Sequence, residues 1–228
     1  VKNFSVTPMG GDADGEKVIM YGQSGIGKTT LAMLAPNPVF IALDDGARKL
    51  RMPDGSRPQH IPGIETFDEL RAVLQTSELF DSFESVIVDT LTRVEIDLAL
   101  PWMFANVKRD GSTMSSIEQY GWGKGHSHML ETMRLLLMDF DALVRRGKNV
   151  ILLCQSMPTK VANAEGLDFI QDGPKLNHYA ASNLTASVRF EFCEWADHVV
   201  AIRHLDNRVT ANKDAKVGKL EHNVDDER

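Results

Sequence analysis

The stretch Lys17-Val18-Ile19-Met20-Tyr21-Gly22-Gln23-Ser24-Gly25-Ile26-Gly27-Lys28-Thr29-Thr30 decides how this chain folds. Up to Tyr21 it is nearly continuous in apolar character, the look of a strand buried on both faces. Gly22 to Thr29 then fits the spacing G-x-x-x-x-G-K-[ST]. Lys28 to Leu34 reads as a short helix stopped by Pro36. Strand, glycine turn and helix start in direct succession form the context in which this spacing means phosphate binding. The glycines let the backbone curl so that successive N–H groups point inward at phosphate oxygens. The helix N-terminus adds its partial positive charge. Lys28 then reaches the β- and γ-phosphates, and the Thr29 hydroxyl can bind Mg²⁺. The expected nucleotide-binding set is Gly22, Gln23, Ser24, Gly25, Ile26, Gly27, Lys28, Thr29 and Thr30, with ATP and Mg²⁺ as cofactors. The bland alternative, a glycine-rich turn before a helix, leaves the Lys-Thr pair and its flanks a coincidence.

Four more short apolar runs lie outward from this segment: Val39 to Leu43, Ser85 to Asp89, Asn149 to Cys154 and His198 to Ile202. Helical patterns separate them. Thr66-Phe67-Asp68-Glu69 is a capping-box pattern that opens a helix to about Leu79. From about Ser127 to Arg146, apolar residues recur at spacings of three and four and end at Arg145-Arg146-Gly147, cations before a C-cap glycine. The alternation predicts an α/β fold, a mostly parallel central sheet flanked by helices. Two stretches break the rhythm, about Asn106 to Gly125 and Met157 to Lys175, and read as long loops of the kind that carry function. Residues 1–205 read as one core domain and 206–228 as a polar tail.

Three strand ends carry polar groups where ligands bind in doubly wound sheets. Asp89 closes Ser85-Val86-Ile87-Val88, and beside a phosphate loop it supports the metal with Thr29. Asp44-Asp45-Gly46 closes Pro38 to Leu43. One of these acids is a candidate to orient or deprotonate an attacking water, and Asp44 is favoured. The two point to opposite sides if the strand continues, and a plain turn signal is the alternative. Gln155 follows Ile151 to Cys154, and its amide can meet a γ-phosphate or its water. The expected catalytic set is therefore Lys28, Asp44, Asp89 and Gln155.

The chain has 228 residues, 43% of them apolar and 25% charged, with a net charge of −7. That composition argues for a folded core and against disorder. An acidic chain binds nucleic acid only through a local patch. Cys154 and Cys193 make neither a metal spacing nor a disulfide framework and fit a reducing compartment. The longest apolar runs are about five residues, against the roughly 20 of a membrane-spanning helix. Val1-Lys2-Asn3-Phe4-Ser5 lacks a signal-peptide core, so no membrane partner is expected. His126 and His128, two apart on a helix, point to different sides and make no metal site.

Taken together, these motifs resemble the RecA-like core P-loop ATPases. Gly22 to Thr29 corresponds to the Walker A loop and Val86-Ile87-Val88-Asp89-Thr90 to the Walker B strand. Phe40 to Asp44 matches the strand that carries a catalytic Glu in that family. Asp44 is one methylene shorter, which implies slower hydrolysis or a different water geometry. Gln155 matches the γ-phosphate-sensing Gln. Ala196-Asp197-His198-Val199 matches a recurring D-x-V on the last strand of compact phage AAA-domain proteins of the Sak-type single-strand annealing group. The resemblance spans roughly residues 16 to 205.

It implies an ATPase acting on single-stranded DNA in phage-type recombination or annealing. Its implied setting is the cytoplasm of a bacterial or phage-infected cell, as a homo-oligomeric ring or filament, with a single-strand-binding protein as a further partner. The loops that line the DNA path carry Lys108, Arg109, Lys124, Lys160 and Lys175. Trp102, Phe104, Tyr120 and Trp122 flank the first loop as stacking platforms or, alternatively, as core packing. Arg189, Arg203, Arg208, Lys213 and Lys216 are candidates to reach a neighbouring subunit's nucleotide. Two rival readings remain: a small-molecule P-loop kinase, and an ATP-binding switch acting through a protein partner.

Overall fold

A computed structural model describes residues 14–43, 49–108, 110–121, 123–161, 169–176 and 187–204. The elements in chain order are β1 (Lys17–Gly22), α1 (Lys28–Ala32), β2 (Pro38–Ala42), β3 (Gln59–Ile61), α2 (Phe67–Gln75), β4 (Ser85–Asp89), α3 (Leu91–Arg93), α4 (Leu100–Asn106), α5 (Lys124–Val144), β5 (Asn149–Val161), β6 (Phe169–Pro174), α6 (Val188–Trp195) and β7 (His198–Ile202). The sheet has 7 strands in the order β3-β2-β4-β5-β1-β7, with β6 off this path beside β5. Every pair along the path is parallel, and β5–β6 is antiparallel. The five apolar runs of the sequence are thus β1, β2, β4, β5 and β7, in the expected α/β architecture.

Strand periodicity divides the core. Val86, Val88, Val150, Leu152 and Cys154 face the larger cluster, together with Phe67, Leu70, Met133, Leu136 and Phe140 of α2 and α5. Their alternates Ile87, Ile151 and Leu153 face a smaller cluster with Ala32 and Met33. Both sets are nearly solvent-free because successive side chains point to opposite faces and helices or loops lie on each.

The capping box at Thr66 is present in full, with Thr66 Oγ1 accepting from Glu69 N–H and Glu69 accepting from Thr66 N–H. α2 stops at Gln75, however, and Ser77–Phe80 is a 3₁₀ turn. α5 starts three residues before the expected Ser127, after left-handed Gly123. Between α3 and α4, Val94–Ala99 is a π-helical turn. Pro101 follows it and has no N–H to give to the preceding turn.

The expected loop from Met157 to Lys175 is corrected. β5 runs on past the central sheet to Val161 and pairs with β6 in the register Ser156↔Pro174 to Val161↔Phe169. A two-stranded ribbon outside the sheet needs no apolar run, and Pro158 and Pro174 obscured it in sequence. The expected loop from Asn106 to Gly125 contains a 3₁₀ turn, Ile117–Tyr120. Residues 205–228, which include all of the expected tail, lie outside the described residues. No helix among the described residues is long and apolar enough to cross a membrane.

Candidate nucleotide-binding site

The sheet order explains where the site forms. β5 lies between β1 and β4, so the ends of three strands converge. Gly22 is in register with Gln155, and Leu153 of the same strand is in register with Asp89. Residues far apart in sequence therefore meet at the carboxyl edge of a parallel sheet, the general position of ligand crevices in such folds.

The loop after β1 shows two distinct uses of glycine. Gly25 and Gly27 have φ of 79° and 101°, the region L side chains rarely adopt. Gly22 has no such conformation. A Cβ there would lie 2.5 Å from the Ile202 carbonyl oxygen, so Gly22 is needed for the approach of β7. The curled loop aims two carbonyls at Lys28: its Nζ donates to Gly22 O at 2.9 Å and to Gln23 O at 2.8 Å. An ammonium has three donors, and these bonds use two of them. Burial pushes the Lys28 pKa below its ordinary value, while the neighbouring Asp89 carboxylate acts in the opposite direction.

The Thr29 hydroxyl donates to Asp89 Oδ2 at 2.8 Å. This bond joins the residues singled out for the metal, although 60 positions separate them. Both offer the hard oxygen donors that Mg²⁺ prefers, so the pair fits that ion. A cavity of about 260 Å³ opens over them, lined by Ser24, Gly25, Gly27, Lys28, Thr29 and Thr30 of the loop, and by Asp89 and Gln155. Ile26 completes the loop by donating its N–H to Gln23 O. Two lining residues were missed in sequence, Thr90 and Leu50. Thr90 was foreseeable as the residue after Asp89, whereas Leu50 carries no motif. Cys154 sits nearby with its thiol fully buried and its pKa pushed far up by desolvation, so it is an inert packing group.

Asp44 and Asp45 lie outside the described residues. The chain leading to them is anchored at the site, because Leu43 N–H donates to Asp89 O at 2.8 Å. Among the bases read as contacts for DNA, Lys108 and Lys124 are exposed, and Lys175 is half-buried. None of the three lines the nucleotide cavity. Lys160 is in register with Ile170 on the β5–β6 ribbon, and Arg109 lies outside the described residues. The described aromatic rings around the first loop, Trp102, Phe104 and Tyr120, pack against other parts of the protein. Tyr120 is buried and its hydroxyl lies 2.8 Å from Val107 O. Phe104 stacks on Tyr120, and Trp102 packs on Phe67 while donating to Asp68 at 2.9 Å. Trp122 is outside the described residues. Of the candidates to reach a neighbouring nucleotide, Arg189 lies against the Phe190 ring and Arg203 is exposed. Arg208, Lys213 and Lys216 are outside the described residues. Asp197 of the D-x-V pattern serves the sheet. Its carboxylate accepts from Lys17 N–H at 3.0 Å, and its own N–H donates to Lys17 O at 2.9 Å, which sets β7 against β1.

A family profile described as an AAA domain matches residues 14–224. The chain belongs to the AAA-domain family. The match includes the whole loop, Asp89 and Gln155. Among solved structures, this AAA domain is similar to a crystal structure of the RadB recombinase, at 17% identity and a TM-score of 0.47, covering 84% of this chain and 76% of that one. No curated protein matches the chain.

Proposed function

We propose that this AAA domain is a RecA-like ATPase that binds and hydrolyses ATP on Gly22 to Thr30 and acts on single-stranded DNA, in recombination or strand annealing of the Sak type found in phages. The observation that carries the ATP reading is the Thr29–Asp89 hydrogen bond at 2.8 Å beside a buried Lys28, at the mouth of one cavity. A buried ammonium beside a hydroxyl–carboxylate pair at a strand edge supports a polyphosphate-binding role.

Lys28 keeps one N–H donor for a phosphoryl oxygen and stabilises charge as it develops during transfer. Thr29 and Asp89 would hold Mg²⁺, which when bound neutralises phosphate charge. Asp44, reached through a strand end fixed to Asp89 O, orients the attacking water. Gln155 meets the γ-phosphate from the point where β5 leaves the central sheet. DNA contacts come from Lys108, Arg109, Lys124, Lys160 and Lys175, and an acidic protomer gains a continuous basic path only by assembling into a ring or filament. On this reading the protein works in the cytoplasm of a bacterial or phage-infected cell, with a single-strand-binding protein as a further partner.

The test is ATP hydrolysis with and without single-stranded DNA, for wild type and K28A. Loss of the lysine is expected to lower turnover by about 100-fold or more, the usual scale for a charge-stabilising donor. Undiminished turnover in K28A refutes the ATP site. Absence of DNA binding at low salt, where phosphate contacts are strongest, refutes the DNA reading alone.

A further inference from the structure

The base of the β5–β6 ribbon contains a departure from ordinary pairing. Continuing its register, the pair beyond Ser156↔Pro174 is Gln155 opposite Lys175. A hydrogen-bonded antiparallel pair exchanges two direct N–H···O bonds. Here one is direct, from Lys175 N–H to Gln155 O at 2.7 Å. The other is interrupted by a side chain. Gln155 N–H donates to Thr92 Oγ1 at 3.1 Å, and the same hydroxyl donates to Lys175 O at 3.0 Å.

Thr92 is 1% exposed and sits on α3, three residues after Asp89. It therefore ties the segment that follows the metal-supporting acid to the point where β5 leaves the central sheet and becomes a ribbon strand. Its hydroxyl donates its one proton to Lys175 O and accepts from Gln155 N–H, so Val in its place leaves a half-buried N–H and a half-buried C=O facing each other without the bridge. A second tie reaches the ribbon from the strand that precedes the phosphate loop: Tyr21 Oη donates to Asp172 O at 3.0 Å.

We infer that Thr92 is a positioning residue whose hydroxyl, inserted into the β5–β6 ladder between Gln155 and Lys175, couples the nucleotide site to the position of the ribbon. The inference rests on the reading of the cavity as an ATP site. A change at Asp89 moves α3, and a change at Gln155 moves β5. Thr92 is held by both and passes either displacement to Lys175 and so to β6. A free ladder would let the strand ends respond separately.

Hydrogen exchange of the amides in 155–161 and 169–175, with and without ATP and Mg²⁺, tests this on the whole chain. ATP binding by the wild type is titrated first, since its absence overturns the nucleotide reading itself. With ATP bound, the wild-type ribbon is expected to change its exchange rates by about fivefold or more, the lower end of coupling between sites. In T92V, ATP still binds but the ribbon no longer responds, and T92S restores the response. A residue that only supported the fold would shift exchange equally with and without ATP. A T92V ribbon that responds as wild type does, or a T92S ribbon that does not respond, overturns the inference. Should T92V not fold, T92A leaves room for a bridging water and takes its place, and a wild-type response in T92A likewise overturns it.

Discussion

Substituting Gly22 by Ala separates the two reasons this loop contains glycine. The new Cβ would sit 2.5 Å from the Ile202 backbone oxygen and 3.0 Å from Ile26 Cγ2. The first contact is with backbone of the adjoining strand in register, so no rotamer change relieves it. β1 and β7 must part by roughly half an ångström, an overpacking strain of about 1–3 kcal/mol. For a chain of this size that is a fall in Tm of about 2–12 °C, taking about 2–4 °C per kcal/mol. Gly27 is the contrast. Its φ is 101° and a Cβ there meets nothing within 4 Å, so G27A carries conformational strain of about 1–2 kcal/mol inside the loop. Thermal unfolding and nucleotide titration of both variants tell the two apart. G22A should lose stability, and adding I26A should not restore it, because the backbone oxygen remains. G27A should lose nucleotide affinity by more than its stability falls. A G22A protein as stable as wild type refutes the close approach of β7.

Two further outcomes follow from side chains that join helices. Asp139 is 6% exposed and accepts from Arg71 Nε at 2.8 Å and Gln75 Nε2 at 2.9 Å, fastening α2 to α5. D139A leaves both donors unmatched and should cost about 2–4 kcal/mol in denaturant unfolding, below the full penalty for a buried pair because Arg71 keeps some solvent. Glu191 accepts two bonds from Arg134, at 2.8 and 3.0 Å, and the Arg134 hydrogen bond holds its carboxyl below the ordinary 4.5. A depressed folded-state pKa gives stability that is complete above about 4.5 and lost as pH falls through the lower folded value. R134M should flatten that acid limb by about 0.2–1 kcal/mol, the scale of a solvent-exposed pair. An unchanged pH profile in urea melts removes the pair as a source of stability.

The parts legible in sequence were those set by local rules. A glycine loop between strand and helix, a capping box, and apolar runs of strand length each declare themselves within a dozen residues. They placed β1, β2, β4, β5 and β7, and with them Lys28 and Thr29 at the start of α1, Asp89 at the end of β4 and Gln155 near the point where β5 leaves the central sheet. The parts that stayed hidden depend on partners far along the chain. β3 is three residues long, too short for any period. The second half of β5 and all of β6 pair only with each other, so neither needed the apolar alternation that exposes a buried strand. Trp102 and Tyr120 could not be assigned to packing or to base stacking without knowing that Phe67 and Phe104 stand beside them. Thr92 was unreadable because its function as a bridge exists only once Gln155 and Lys175 face each other. Asp197 stands in a legible D-x-V pattern, but its pairing with Lys17, 180 positions away, is a matter of sheet order.

The state of Lys28 links the loop's geometry to a measurable property of binding. In the nucleotide-free protein, burial disfavours the ammonium and lowers its pKa from the ordinary 10.5, against the pull of Asp89. A polyphosphate seated on the loop brings negative charge to that ammonium and favours the charged form. The pKa is thus lower in the free protein than in the bound one. Between those two values the bound state holds more protons than the free state, so affinity is greatest below the free-protein pKa and falls as pH rises through the alkaline window above it. The loop carbonyls of Gly22 and Gln23 do not cancel this, because they are held at 2.9 and 2.8 Å by the cation already. A guanidinium stays charged throughout, so K28R should bind more weakly by its shape yet lose no further affinity across the same range. Nucleotide titrations from neutral to alkaline pH decide between the two. A wild-type affinity as flat as that of K28R would mean that Lys28 takes up no proton on binding, and the ammonium would then not be the group that meets the phosphates.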